Sequence, residues 1–469
     1  MPAAFDLIVI GTGMGGNGPA HRCRQAGWRV AVVDDEPYGG TCPLRGYDPK
    51  KVLVGGAELA DWHRRLTGWG IAGDARIDWP ALMRFKRTFT DPVPASREAA
   101  FQNAGIATFH GVARFTSVDH LVVGEREGDR ELAATHFLLA SGAEPRRLDL
   151  PGEEHLRTST EFLELDALPQ RVAFIGAGYI AFEFAHLARR AGAEIVMFGR
   201  GTPLARFDQD LVQRLVAHTR ALGVDVRLKA PVTAVETHDG GYRVHFEAPT
   251  GDAATETDLV VHAAGRVPKT RGLDLPTARV TTDARGAVEV NDYLQSVSNP
   301  RVYAAGDAAL PPGSLPLSPV AAHEGLIVAS NLLHGNRKTP DYRGTPSVVF
   351  TVPPLARVGL TEAEARAQQL AVRVKSAETG SWYSNRRVRE PTGMFKTLVE
   401  AGTGRIVGAH LLGPQAELGH QPLRPRHPAG APGGGPDAPD LRLSEQRVRR
   451  RVHVLTKMST TNPPTVAAQ

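Results

Sequence analysis

The stretch that decides the fold is residues 7–34, which read LIVIGTGMGGNGPAHRCRQAGWRVAVVD. An apolar run, a glycine-rich turn and a second apolar run ending in an acid predict a strand, a helix and a second strand. In the turn, Gly11 permits the tight bend, Gly13 lets a pyrophosphate approach the backbone, and Gly16 allows close helix packing. Asp34 ends the second strand, where an acid accepts hydrogen bonds from a ribose. The stretch therefore predicts a dinucleotide-binding unit.

The same pattern recurs at residues 172–198, where Gly176, Gly178 and Ala181 form a G-x-G-x-x-A turn. Each unit alternates strand and helix around a glycine turn, which indicates a doubly wound α/β architecture. From residue 348 to residue 417 the texture changes to an α+β segment with alternating apolar residues.

The composition is that of an ordinary globular protein, with 42% hydrophobic and 22% charged residues in a chain of 469. That length predicts two to four domains. No apolar run is long enough to cross a membrane, and the early first strand leaves no room for a signal peptide. Two cysteines, Cys23 and Cys42, cannot form a disulfide framework, so we expect a cytoplasmic protein without a metal site.

The net charge of +5 is concentrated at the C-terminus. Residues 418–469 hold 8 Lys and Arg against 3 Asp and Glu, which leaves 47 of each sign in the rest of the chain. A neutral body with a basic tail gives no reason to expect nucleic-acid binding.

Residues 39–51, GGTCPLRGYDPKK, resemble the redox-active motif of the pyridine nucleotide–disulfide oxidoreductases. This family includes glutathione reductase, dihydrolipoamide dehydrogenase and mercuric reductase, and its pattern is G-G-T-C-x4-C. Here Gly40 and Thr41 precede the first cysteine, Cys42, and the second position is Tyr47. The resemblance implies two doubly wound Rossmann-like dinucleotide-binding domains plus an α+β interface (dimerisation) domain, and therefore a homodimer.

Further motifs resemble the family's FAD site. Ser141 and Gly142 lie in LLASGAEP (residues 138–145), which resembles the A-T-G-x-x-P turn at the exit of the FAD domain. Asp307 ends VYAAGD (residues 302–307), which resembles the motif whose Asp binds the ribityl hydroxyls. The resemblance thus implies that the first dinucleotide is FAD.

The second unit is expected to bind NADPH, with NADH less likely. Gly199 stands where an NAD site needs a carboxylate for the 2′-hydroxyl, and Arg200 and Arg206 follow it. Guanidinium groups favour a 2′-phosphate, and a similar arginine pair marks NADPH-dependent members of the family. Gly265 lies in AAGRVP (residues 263–268), which resembles the exit motif of this domain.

The resemblance also implies a catalytic group beside the flavin. In the family, a Lys after the second redox position pairs with a Glu near flavin N5, and the motifs assign these roles to Lys51 and Glu183. A cation there stabilises the reduced, anionic flavin. Tyr179 corresponds to the mobile aromatic residue that covers the flavin until the nicotinamide arrives.

Tyr47 removes one of the two sulfurs that the family's chemistry requires, because a thiol and a phenol cannot close a disulfide. We therefore expect hydride transfer from NADPH to FAD, impaired disulfide reduction, and delivery of electrons to a small-molecule acceptor. Three alternatives remain open: a catalytically inactive flavin-binding pseudoenzyme, an active dihydrolipoamide dehydrogenase- or glutathione reductase-like enzyme, and a flavin monooxygenase.

The domain boundaries follow from these motifs. Residues 1–149 and 269–342 are assigned to the FAD domain, 150–268 to the NAD(P) domain and 343–417 to a partial dimerisation domain. Residues 418–469 are rich in Pro, Gly and Arg and form a disordered or frameshifted basic tail. Parts of this tail are compatible with a frame offset by one base that encodes the expected closing segment. A frameshift near Glu417 would compromise the homodimer.

Overall fold

The computed structural model describes residues 3–126 and 128–419. The chain forms two compact units. The larger comprises the described residues up to Ala205 together with Val216–Tyr342 and Phe350–Val352, and the smaller comprises Arg206–Leu215, Arg343–Val349 and the described residues from Pro353 onward. The predicted tail lies, from residue 420, outside the described residues.

The first part of the larger unit is built on a mixed sheet with the order β3-β2-β1-β6-β5-β4. The strands β3, β2, β1 and β6 are parallel, and β5 and β4 extend the sheet in antiparallel fashion. Leu7, Ile8 and Val9 of β1 are fully buried, because the strand is covered on both faces, and this explains its continuous apolar run. The elements of this part are β1 (Ala3–Ile10), α1 (Met14–Gln25), β2 (Val30–Asp34), α2 (Thr41–Arg45), α3 (Tyr47–Leu66), α4 (Trp79–Thr90), α5 (Val93–Asn103), β3 (Ala107–His110), β4 (Val112–Phe115), β5 (His120–Glu125), β6 (Gly128–Leu139) and β7 (Ala143–Pro145).

The next part of the chain repeats the parallel architecture with the sheet order β10-β9-β8-β14. A three-stranded antiparallel sheet, β11-β12-β13, follows, and β15 pairs with β7. The elements are α6 (Ser159–Phe162), β8 (Arg171–Ile175), α7 (Tyr179–Arg190), β9 (Glu194–Gly199), α8 (Gln209–Ala221), β10 (Val224–Leu228), β11 (Val232–His238), β12 (Gly241–Ala248), β13 (Gly251–Thr257), β14 (Leu259–His262) and β15 (Arg266–Pro268). The prediction of two Rossmann-like folds is confirmed.

The chain then returns to the first sheet. Strand β16 (Val302–Ala304) pairs in parallel with β6, and helix α9 (Ser318–His334) packs against α1. The two helices approach closely because a Cβ added at Gly325 would lie 2.4 Å from the carbonyl oxygen of Gly15. This return completes the core on the α1 side of the sheet.

The smaller unit is an antiparallel sheet with the order β17-β18-β21-β20-β19. Its elements are β17 (Ser347–Val349), β18 (Leu355–Gly359), α10 (Glu362–Ala367), β19 (Val372–Glu378), α11 (Tyr383–Arg386), β20 (Met394–Glu400), β21 (Ile406–Leu412) and α12 (Ala416–Gly419).

Inside this unit, Lys396 Nζ contacts carboxylates of Asp208 (2.9 Å), Asp210 (2.6 Å) and Glu362 (2.9 Å). Burial by itself lowers the pKa of Lys396, but the hydrogen bonds to the carboxylates outweigh it and raise the pKa above its usual value. The cluster thus holds a fully charged lysine in the interior of the α+β unit predicted from the sequence.

Buried polar contacts fix α3 against α7 in the larger unit. Arg190 of α7 forms an ion pair with Asp61 of α3 at 2.9 Å and donates a hydrogen bond to the carbonyl of Val352 at 2.8 Å. The backbone N–H of Val352 donates to His186 Nδ1 at 3.2 Å. Residues Phe350–Val352 therefore act as a strap across both helices.

His186 is held neutral by its surroundings. Burial is the largest cause that lowers the pKa of His186 well below its usual value, followed by the charges of Arg190 and His218. Since Nδ1 accepts a hydrogen bond from Val352, the proton resides on Nε2, which donates to the Thr219 hydroxyl at 2.9 Å. A proton added to this imidazole would have no acceptor.

This arrangement predicts that His186 makes the fold less stable in mild acid. Below about pH 6.5 the unfolded chain binds a proton at this side chain and the folded chain does not, so stability falls as the pH decreases, with a slope of up to about 1.4 kcal/mol per pH unit. His186→Gln cannot titrate in this range, so the difference in urea midpoint between wild type and variant should shrink from pH 7 to pH 5. The matched control is His334→Gln at the exposed end of α9, for which the difference should not depend on pH.

Candidate active site

The first glycine turn forms a cradle for a phosphate. Gly11 has a φ of +103°, and a Cβ at this position would lie 2.2 Å from the carbonyl oxygen of Ala140, so only glycine fits. Helix α1 begins after Gly13 without a capping side chain, which leaves its first N–H groups open to an anion. A Cβ at Gly16 would lie 2.1 Å from the Gly11 carbonyl oxygen, as expected for the residue that lets the helix pack closely.

Asp34 and Thr12 connect this turn to the GGTC segment. The Asp34 carboxylate accepts hydrogen bonds from the Thr12 N–H (2.7 Å) and hydroxyl (2.6 Å), and the same hydroxyl accepts from the Gly39 N–H at 3.0 Å. Burial raises the pKa of Asp34, and the bonds from Thr12 oppose this. Next to them, Gly40 has a φ of +74°, and a Cβ there would lie 2.4 Å from Gly13 Cα, just before Thr41 begins α2. Sequence reasoning missed Thr12, whose signal is only a hydroxyl inside the glycine turn.

The other predicted FAD residues lie at the ends of neighbouring strands. Ser141 and Gly142 follow β6, and Asp307 follows β16. The Ser141 hydroxyl oxygen is buried and has no hydrogen-bond partner among the described residues. Burial raises the pKa of Asp307, while the charge of Arg266 opposes this increase.

Glu324, which sequence reasoning did not single out, holds the turn that carries Asp307. Its buried carboxylate accepts hydrogen bonds from the Gly306 N–H (2.6 Å), the Ser314 hydroxyl (2.8 Å) and the Tyr342 hydroxyl (2.7 Å). Burial raises the pKa of Glu324, and these three bonds lower it. A glutamate inside an otherwise apolar helix was the available signal.

These features fit the FAD that the motifs imply. The cradle at Gly11 and Gly13 leaves backbone room for a pyrophosphate, the open end of α1 suits its charge, and the orphaned Ser141 hydroxyl and the Asp307 carboxylate suit hydroxyl and ring polar groups. When bound, the flavin accepts a hydride from a nicotinamide and passes on an electron pair.

The lysine that pairs with Glu183 is Lys50, so the prediction of Lys51 is wrong. Lys50 Nζ lies 2.9 Å from both carboxylate oxygens of Glu183, and the backbone N–H of Phe350 donates to the same carboxylate at 2.8 Å. Lys50 is 9% exposed and Glu183 is 1% exposed. Successive helical residues point about 100° apart, so only one of two adjacent lysines can face α7. Lys51 instead places its Nζ 4.3 Å from the centroid of the Phe350 ring.

Cys42 and Tyr47 lie on successive helices. Cys42 belongs to α2, and Tyr47 is the first residue of α3. The Tyr47 ring is 45% exposed and meets the Phe350 ring edge-on, with centroids 5.4 Å apart. Cys42 shares a hydrogen bond with the Ser318 side chain at the start of α9. Both cysteines of the chain are free.

The second glycine turn repeats the geometry of the first. A Cβ at Gly176 would lie 2.1 Å from the carbonyl oxygen of Ala263, Gly178 precedes α7 without a capping side chain, and Ala181 is fully buried. Tyr179, the first residue of α7, is 45% exposed.

The remaining predicted nucleotide residues are spread over both units. Arg200 follows β9 and is exposed, whereas Arg206 is described with the smaller unit. Gly265 precedes β15 and has a φ of +113°. In the described part of the chain, no helix is long and apolar enough to cross a membrane.

Comparison with known families gives the decisive observation. A model of the pyridine nucleotide-disulphide oxidoreductases matches residues 5–325, and a model of the dimerisation domain of the same family matches residues 345–422. The chain belongs to the pyridine nucleotide-disulphide oxidoreductase family. It is therefore an oxidoreductase of an FAD-dependent, NAD(P)H-using family, and this membership replaces the flavin monooxygenase alternative. The dimerisation domain indicates a homodimer, as in the family.

Relatives in this family span several activities. The chain is 33% identical to a glutathione reductase of Burkholderia cepacia over 88% of its own length and 90% of the relative's. It is 32% identical to a trypanothione reductase of Trypanosoma congolense, with 88% of each chain covered. Among solved structures, the Cu(II) complex of the HOCl-induced flavoprotein disulfide reductase RclA from Escherichia coli has a TM-score of 0.79 at 28% identity, covering 89% of this chain and 91% of that one.

The Lys50–Glu183 pair predicts different costs for two adjacent lysines. Lys50→Met leaves the Glu183 carboxylate buried with one backbone donor, and the free energy of unfolding should fall by about 3 kcal/mol. Lys51→Met removes only a contact between an ammonium and a ring, and should cost below about 1 kcal/mol. Urea unfolding of both variants measures this. Equal losses would contradict the assignment of Lys50.

Proposed function

We propose that this enzyme transfers a hydride from NADPH to FAD and that its disulfide-reducing step is impaired. The observation that carries the proposal is the phenol of Tyr47 at the head of α3, five residues after Cys42. A dithiol reaction needs two sulfurs within bonding distance, and this chain has one sulfur in the motif.

The chemistry of the two cysteines supports this reading. Burial raises the pKa of Cys42 above its usual value, although the Ser318 hydrogen bond opposes this, so the group is a neutral thiol at pH 7. Cys23 is fully buried in the core under α1, and burial raises the pKa of that thiol to about 12. Neither cysteine therefore supplies a thiolate nucleophile in place of the missing partner.

The hydride step keeps the groups that support it. The buried ion pair of Lys50 and Glu183 holds a cation where the family places one beside the flavin, and no sulfur takes part in that step. The balance of the step is one hydride from NADPH and one proton from solvent for each pair of electrons delivered.

The choice of NADPH is supported by the end of β9. A Cβ at Gly199 would lie 2.8 Å from Ala177 Cβ and 3.0 Å from Leu228 Cδ2, so a carboxylate for the 2′-hydroxyl does not fit there without displacing its neighbours. The next residue is the exposed Arg200, whose guanidinium suits a 2′-phosphate. Arg206 is proposed as the second phosphate ligand.

The altered C-terminus bears on the homodimer. We propose that a sequence change after Glu417 weakens the dimer of this cytoplasmic enzyme, because the basic, Pro- and Gly-rich composition of residues 418–469 does not supply an apolar interface.

Anaerobic titration of the purified protein with NADPH tests the proposal. The flavin should bleach with one equivalent of NADPH and without the long-wavelength absorbance of a thiolate beside the flavin. Tyr47→Cys should gain that band, and the double variant with Cys42→Ser provides the matched control for the second sulfur. A long-wavelength band in the wild-type protein would contradict the proposal, and an absence of bleaching would favour the inactive pseudoenzyme.

Arg200→Leu tests the choice of nucleotide. Because a charge-assisted hydrogen bond contributes about 1.5–3 kcal/mol, the ratio of kcat/KM for NADPH to that for NADH should fall about tenfold or more. The exposed Arg271→Leu should leave the ratio unchanged. An unchanged ratio in Arg200→Leu would remove this residue from the phosphate site.

A further inference from the structure

An exposed aromatic corner lies at the head of α3. We define the Tyr47 corner as Tyr47, Phe350 and Lys51. The Tyr47 ring is 45% exposed, and its plane makes an angle of 74° with the Phe350 ring at a centroid distance of 5.4 Å. Edge-to-face packing leaves a face of the tyrosine ring for a further planar group.

The corner contains a lysine without a carboxylate partner. Lys50 is neutralised by Glu183 at 2.9 Å, whereas no carboxylate of the described residues lies within ion-pair distance of Lys51 Nζ. Lys51 Nζ lies over the Phe350 ring, 4.3 Å from its centroid. Asp48 is the acid of the same helical turn, and its charge acts on Cys42. The ammonium of Lys51 is thus available to an anionic oxygen beside an aromatic surface.

The corner adjoins the end of the cofactor cradle. Tyr47 and Lys50 share the first turn of α3, and Lys50 Nζ lies 5.8 Å from the Tyr47 ring centroid. The preceding helix, α2, is fixed by the hydrogen bond between Cys42 and Ser318, the first residue of α9, which follows the Asp307 turn. The corner is therefore placed between the Lys50–Glu183 pair and the turn that the motifs assign to the flavin.

We propose that the Tyr47 corner is the electron-acceptor site and that it takes a planar, electron-poor aromatic dicarbonyl compound, a quinone. The proposal rests on the proposed function, because the electrons come from NADPH through FAD. The ring of such a compound stacks on Tyr47, and the negative charge that develops on its oxygen during reduction faces the ammonium of Lys51. The overall reaction is NADPH + H⁺ + quinone → NADP⁺ + hydroquinone, in which two carbonyls become two hydroxyls.

A quinone fits the corner better than a disulfide does. A disulfide substrate is attacked by a thiolate, and the exposed group at this position is a phenol that forms no bond to sulfur. A quinone needs no covalent step, since it accepts the electron pair and takes two protons. The same substitution that removes the thiol therefore supplies the aromatic surface.

The experiment compares menadione with ferricyanide, an anionic acceptor without a ring to stack. In Tyr47→Ala, the ratio of kcat/KM for menadione to that for ferricyanide should fall about tenfold, in keeping with aromatic pair energies of up to about 1.5 kcal/mol. Tyr47→Phe should retain most of the ratio, which separates the ring from the hydroxyl. Lys51→Met should lower the ratio about fivefold. The matched controls are the exposed Tyr383→Ala and Lys338→Met, which should keep the wild-type ratio.

A second measurement separates failure of this inference from failure of the proposed function. Calorimetric binding of menadione to the oxidised protein needs no NADPH, and the dissociation constant should rise about tenfold in Tyr47→Ala. If NADPH does not bleach the flavin but this dependence on Tyr47 is present, the proposed function fails and the corner remains a quinone site. A ratio and a dissociation constant that do not change in Tyr47→Ala would overturn the inference.

Discussion

The interaction on which the site depends is the buried ion pair between Lys50 and Glu183. Each charge lies in the interior, and each is stable there only because the other is within hydrogen-bond distance. The pair joins α3, which follows the redox motif, to α7, which opens the second nucleotide fold. The backbone of Phe350 supplies a third contact, and the Arg190–Asp61 pair repeats the arrangement farther along both helices. The head of α3 is thereby held in one position.

This constraint explains why a change at one residue can separate the two halves of the reaction. The cation proposed to support hydride transfer is secured by α7 and by the strap, and neither contact involves the side chain at position 47. The thiol step, in contrast, depends on that side chain directly. A phenol at this position removes a nucleophile and leaves the supporting scaffold intact. The flavin half of the enzyme and the acceptor half are therefore separable in their residues.

Much of the fold and part of the site were predictable from residue patterns. The two glycine turns predicted both Rossmann-like folds, because glycine is required wherever a backbone passes close to another. The structure adds that Gly11 and Gly176 each face the carbonyl that follows a neighbouring parallel strand, at Ala140 and Ala263. Thr12 and Glu324 were missed, since a hydroxyl in a turn and an acid in a helix carry no distinctive spacing, and their partners are distant in the sequence.

The sequence by itself determined the family, the two nucleotide folds and the loss of the second sulfur, because these depend on which residue types follow one another along the chain. Only the tertiary structure decided which of two adjacent lysines meets Glu183. Both fit the motif by composition, but a rotation of about 100° per helical residue directs Lys50 towards α7 and Lys51 towards the ring of Phe350. The same packing brought Phe350, some 300 residues later in the chain, beside Tyr47. Such contacts arise from how the helices pack, and local sequence does not encode them.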